Sequence, residues 1–198
     1  FLGVYETGEE ILWGGLLRVH NYLYLPHTYE RLQRLKSVVN KRPIAILLPG
    51  PSIEELEEHI AVLGEYDICY TTVNNFPVLE DKLLKQIAKQ FEIVMCSAKE
   101  NNVPSAVHCD YLDRPVENVF ISETAAFHRD MERFMKKYDE RLLFFVAERG
   151  ADAFDMPTPD YPLHFLAQSS LGILLPLLLI GEPSLIIIFG DGGMRASP

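Results

Sequence analysis

The sequence predicts an α/β fold, a mostly parallel sheet with helices on both faces. Three observations lead there. Short apolar-rich runs recur from Pro43 onward, as strands buried on both faces require. Between them lie segments whose apolar residues return at helical spacing. The two kinds alternate, and that alternation is the pattern of a parallel sheet wound with crossover helices.

The first readable element is an amphipathic helix over Tyr29 to Val39, with Leu32, Leu35 and Val39 on one side. We assign residues 1–42 to an N-terminal helical lead-in or edge segment and 43–198 to the domain that carries the sheet. Ile44 to Leu48 reads as the first strand. A Gly-Pro turn follows, then a helix over Ile53 to Leu63 with Ile53, Leu56, Ile60 and Leu63 at helical spacing. Asp67 to Val73 (strand), Leu79 to Gln90 (helix) and Ile93 to Ser97 (strand) come next, then Val119 to Ser122 (strand), Thr124 to Tyr138 (helix) and Leu142 to Val146 (strand). Tyr161 and His164 fall in a Pro-rich loop ahead of a last helix, Ser169 to Ile180, and a last strand, Leu185 to Phe189. The stretch from Leu171 to Phe189 is apolar enough to suggest a membrane span. Pro176, Glu182 and Pro183 interrupt it and favour a packed helix followed by a buried strand.

Composition narrows the function classes. The 198 residues suit one domain with room for a sizeable core. A formal net charge of −10 argues against a general nucleic-acid binder, which needs a basic footprint. No basic run suggests docking to an anionic membrane. Small anions stay open, because local donors hold them rather than the net field. Cys69, Cys96 and Cys109 lack metal-ligand spacing, and the first two sit in strand-like runs. Buried thiols in a reducing, cytoplasmic compartment are therefore expected. The chain opens at Phe1 without a methionine and stops in a glycine-rich stretch, so we expect truncation, at the C-terminus in particular. Neither a Gly-x-x-x-x-Gly-Lys-Ser/Thr loop nor a Gly-x-Ser-x-Gly elbow is present.

In open parallel sheets ligands sit beyond the carboxyl ends of the strands, near a reversal in strand order. That rule selects Leu48 to Ser52, Val73 to Pro77, and Gly190 to Gly193. In the first loop Ser52 is placed as an N-cap, with Glu55 completing a capping box; Gly50 allows close backbone approach and Pro51 stiffens the entry. The amides at the helix start, with its dipole, make a seat for a phosphate; a Ser52 bonded only to its own helix is the plainer alternative. Asn74 and Asn75 offer paired donors and acceptors for a base or ribose, and they are also good turn formers. Asp191 could bind a sugar hydroxyl, orient a base or help to hold a metal, or simply stand exposed in a glycine-rich turn. Ser169 and Ser170 open a helix, as contacts to an anionic substrate or as plain N-caps. His164 is the better general-base candidate among the histidines, and Tyr161 near it could donate to a leaving phosphate.

The run Ile46-Leu47-Leu48-Pro49-Gly50-Pro51-Ser52-Ile53 resembles the G-x-G-P-S-L signature of a group of bacterial and archaeal proteins. The group includes motility-associated-factor glycosyltransferases, archaeal 6-hydroxymethylpterin diphosphokinase and bacterial lipooligosaccharide sialyltransferases. Asp67 to Phe76 is similar to the sialyltransferase stretch where a strand ends in Asn followed by an aromatic residue. Glu80-Asp81-Lys82 matches the charged start of the helix beyond it. Ser169-Ser170-Leu171-Gly172, Ile180-Gly181 and Ile186 to Asp191 resemble that family's small-residue helix, its “LG” break, and its apolar strand with a Gly-x-Asp turn. Two departures stand out. Leu48 and Pro49 occupy the places of the first glycine and a variable residue, and no His follows His164, whereas the sialyltransferase base lies beyond the Gly-x-Asp turn.

The resemblance implies that 43–198 is a Rossmann-like nucleotide-binding domain. It places Gly50, Pro51 and Ser52 on the phosphate and ribose of a cytidine nucleotide, Asn74 or Asn75 on the nucleotide, and Ser169 and Ser170 on the donor sugar. The expected activity is a sialyltransferase-like glycosyl transfer, with a CMP-sialic-acid-type donor and a hydroxyl on a glycan or protein as acceptor. No metal is firmly implied, and homo-oligomerisation stays open. A pterin pyrophosphokinase using ATP and Mg²⁺ is one alternative, and a non-catalytic nucleotide-binding module is the other.

Overall fold

The computed structural model describes residues 28–48, 50, 53–73, 77–96, 113, 118–123, 137–147, 163–165 and 170–190. Along them run α1 (Thr28–Val39), β1 (Ile44–Leu47), α2 (Glu54–Leu63), β2 (Cys69–Val73), α3 (Pro77–Gln86) and β3 (Phe91–Cys96). There follow β4 (Val119–Glu123), β5 (Leu142–Ala147), β6 (Leu163–Phe165), α4 (Ser170–Leu179) and β7 (Ile186–Phe189). The seven strands form one sheet in the order β6-β5-β4-β3-β2-β1-β7, and every neighbouring pair is parallel. The chain therefore adopts the expected α/β, Rossmann-like arrangement.

Strands inside such a sheet meet helices on both faces, so β1 and β2 are buried at every position. Alternation sends Ile44 and Ile46 to one face, where Leu35 and Val38 of α1 and Leu174 and Leu177 of α4 complete a core. Ala45 and Leu47 point the other way, into a second core with Leu56 and Ile60 of α2 and Leu84 of α3. Crossover direction explains this division. From β1 to β6 the chain steps one way across the sheet, and from β6 it returns past β1 to β7. Right-handed crossovers in opposite directions put their helices on opposite faces.

Several elements differ from the sequence expectation. The segment read as a lead-in or edge supplies α1, which lies over β4 and β5 and touches α4, so it covers a face of the sheet. Pro77 opens α3 two residues ahead of the expected Leu79, as suits a residue whose missing N–H costs nothing in a first turn. That helix stops at Gln86 rather than Gln90. Ala88, at φ 53°, turns the chain, with Lys89 N–H donating to the Leu84 carbonyl (2.9 Å) and Ala88 N–H to that of Lys85 (3.2 Å). This is a Schellman closure without the glycine that normally announces one. The loop expected around His164 is instead the short edge strand β6, paired with β5 through Val146 and His164. Of the helix expected over 124–138, only residues 137 and 138 are described, and they are helical. The apolar stretch near the end divides into a helix, α4, and a strand, β7, as expected, but β7 is not the buried strand anticipated: it closes one edge of the sheet and is only half-buried, with Ile188 exposed. Among the described residues no helix is long and apolar enough to cross a membrane.

Candidate functional site

β1 lies between β2 and β7, so the loops that leave these three strands start side by side from the carboxyl edge. They are the three loops that the strand-order rule selects. Adjacent strands stand about 4.8 Å apart, which brings the three starting points within roughly 10 Å. The crossovers leaving β1 and arriving at β7 run on opposite faces, and this divergence opens a crevice in such folds.

At the junction the backbone itself makes the contact. Leu48 N–H donates to the Phe189 carbonyl at 2.9 Å, extending the β1–β7 ladder by one residue. Gly50 N–H then turns back to the Leu48 carbonyl at 2.9 Å, and Ile53 N–H donates to the Gly50 carbonyl at 3.1 Å as the chain enters α2. A Cβ on Gly50 would overlap the carbonyl of Gly190, and one on Gly190 would overlap that of Leu48. Gly190 also sits at a φ of +82°, where side chains are disfavoured. Neither position admits a side chain, so two loops distant in sequence meet main chain to main chain.

This geometry changes the part expected of Gly50. Its N–H is used within the loop and is not a donor for a ligand; its small size serves the approach of Gly190. Helix geometry leaves the first-turn amides of α2 to find partners outside their own helix. Ile53 stands at the N-cap without a side-chain cap bond. The proposed cap, Ser52, and its neighbour Pro51 lie outside the described residues.

The other predicted residues are placed by the chain around them. Asn74 and Asn75 lie outside the described residues but follow Val73, the last residue of β2. Asp191, likewise outside them, follows Gly190. Ser170 is the first residue of α4, and Ser169 before it is not described. A crossover helix runs antiparallel to its strands, so the start of α4 belongs to the same carboxyl edge. His164 belongs elsewhere. It is the middle residue of β6, five strands from β1 and so roughly 24 Å away across the sheet. Tyr161, which precedes β6, is outside the described residues.

The opposite, amino edge of the sheet carries the best-defined ionic cluster. Arg42 donates from Nη1 to Asp67 (3.1 Å) and Glu92 (3.2 Å), and from Nη2 to Glu92 and to the Val38 carbonyl in the last turn of α1. Burial pushes the Glu92 carboxyl above the usual carboxylate range, and Arg42 offsets this only in part. Burial also works against the charge on Arg42, yet Glu92 holds its pKa above the ordinary value. Cys69 is fully buried nearby; burial, with Glu92 next, pushes its thiol well above the ordinary range, as expected of an inert core cysteine. This cluster ties α1 to β2 and β3 and lies at the far end of the strands from the glycine junction.

One residue at the junction escaped the sequence reading. Thr72 is fully buried in β2, and its hydroxyl donates to the Leu47 carbonyl at 2.9 Å. Two adjacent threonines in a strand buried on both faces, where valine would pack as well, were the available signal. No protein-family model and no curated protein matches the chain.

Proposed function

We propose that the carboxyl edge of β2, β1 and β7 binds a nucleotide sugar of the CMP-sialic-acid type and that the protein transfers the sugar to an acceptor hydroxyl. The observation that carries this reading is the junction itself. Two side-chain-free backbones, at Gly50 and Gly190, meet where the crossovers diverge, and the Asn-bearing loop leaves the adjacent strand. In this reading the amides at the start of α2 take the phosphate, with Pro51 and Ser52 beside them. Asn74 or Asn75 reads the nucleotide, and Ser169 and Ser170 meet the donor sugar. The chemistry asks the protein to stabilise charge on the departing phosphate and to orient the acceptor. With His164 on β6, Asp191 is the candidate at this edge for orienting or deprotonating that hydroxyl.

The test is a thermal-shift titration with CMP, CTP, UDP, GDP and ATP, each with and without Mg²⁺. A ligand that binds only the folded state at a hundred times its dissociation constant stabilises it by about 2.7 kcal/mol, a shift of several degrees. Selective stabilisation by CMP or CTP without metal is the expected result. A response to ATP that requires Mg²⁺ would transfer the reading to pyrophosphoryl transfer. No response to any nucleotide at millimolar concentration would end the nucleotide reading.

A further inference from the structure

We propose that Thr72 is a positioning residue for the glycine junction, an inference that rests on the reading of that junction as the ligand seat. Thr71 and Thr72 are both fully buried in β2, and each hydroxyl donates across to a neighbouring strand at 2.9 Å, Thr71 to the Ile93 carbonyl and Thr72 to that of Leu47. The bonds are chemically alike and differ in where they end. Both acceptors lie in paired strands, but Ile93 is inside β3, which continues to Cys96, whereas Leu47 stands at the end of its ladder with β2. Leu47 is the last residue of β1, and after the Leu48 N–H bond to Phe189 the chain turns out of the sheet.

The Leu47–Leu48 peptide is a rigid plane that carries both the Leu47 carbonyl and the Leu48 N–H. Toward β2 its carbonyl takes the Thr72 hydroxyl, and toward β7 its N–H donates to Phe189 at 2.9 Å. Held from both sides, the plane fixes the direction in which the chain enters the loop. The next carbonyl, of Leu48, receives the Gly50 amide and is the atom that a side chain on Gly190 would strike. Thr72 thus joins the three strands of the candidate site through one peptide group. Valine would fill the same volume and leave the plane to the backbone ladder alone.

Three variants separate positioning from stability: Thr72→Val, Thr72→Ser and Thr71→Val. The readouts are hydrogen exchange at the Gly50 amide in the ligand-free protein and the affinity for CMP. Both valine variants lose one buried hydrogen bond and are expected to lose similar stability. Thr72→Val alone is expected to speed Gly50 exchange and weaken CMP, each by about five- to tenfold, the size of one net hydrogen bond. Thr72→Ser should restore both. Gly50 exchange that rises equally in Thr71→Val, or that does not rise in Thr72→Val, overturns the proposal. A wild-type protein that ignores CMP defeats the nucleotide reading instead, and the exchange comparison still decides the role of Thr72.

Discussion

Gly190 carries two constraints at once, a φ of +82° and a near approach to the Leu48 carbonyl. An alanine there must strain its own backbone and push the two loops apart. We expect Gly190→Ala to cost about 2–3 kcal/mol in urea unfolding and to abolish any nucleotide-induced thermal shift. A loss below about 0.5 kcal/mol, the range of an ordinary surface change, would mean that the two loops are not pressed together as described. Both glycines were evident in the sequence as loop residues. Their contact was not, because nothing local to either position encodes a partner so far along the chain. The same limit applies to Gly50, whose place in the sequence allows close backbone approach without a sign that the backbone approaching it is that of Gly190.

Elements at the amino edge are tied together by charge, and their pH behaviour differs in sign. Glu92 is raised, chiefly by burial, so the folded state holds its proton more tightly than the unfolded chain. Its contribution is therefore largest below the unfolded pKa and declines as pH climbs through the raised folded value. Glu182 is lowered by its bonds to Lys36 and Lys41 beside the start of β7. Its contribution is present above the unfolded pKa and is lost as pH falls through the lowered value, and because the pair is exposed the effect is small. Urea midpoints measured from pH 3 to 7 should show opposite changes of slope in Glu92→Gln and Glu182→Gln, and slopes of the same sign would contradict the placement of Glu92. Long elements were the legible ones. The parallel strands showed as apolar runs, and α2 and α4 as helical segments. β6 did not show, since three residues with a proline before them carry no period, and the end of α3 was overrun because Ala88 gave no sign of a left-handed turn.

Across the whole molecule, the sheet keeps two cores apart, one under α1 and α4 and the other under α2 and α3. Ile60→Val and Ile173→Val should each cost about 0.5–1.5 kcal/mol, and together the sum of the two within roughly 0.5 kcal/mol. A larger discrepancy would show that the sheet transmits packing strain from face to face. The fold class could be read from alternation alone, whereas the place of β7 beside β1 follows only from strand order, which the runs do not specify. That pairing joins Ile44 to Ile186. On the ribosome β1 is made early and must wait for nearly the whole domain before its second neighbour emerges. Until then one border of β1 is open to mispairing, and closing so long a loop is slow. The candidate ligand seat would accordingly be among the last features to mature, so a nucleotide would recognise the finished chain and not its folding intermediates.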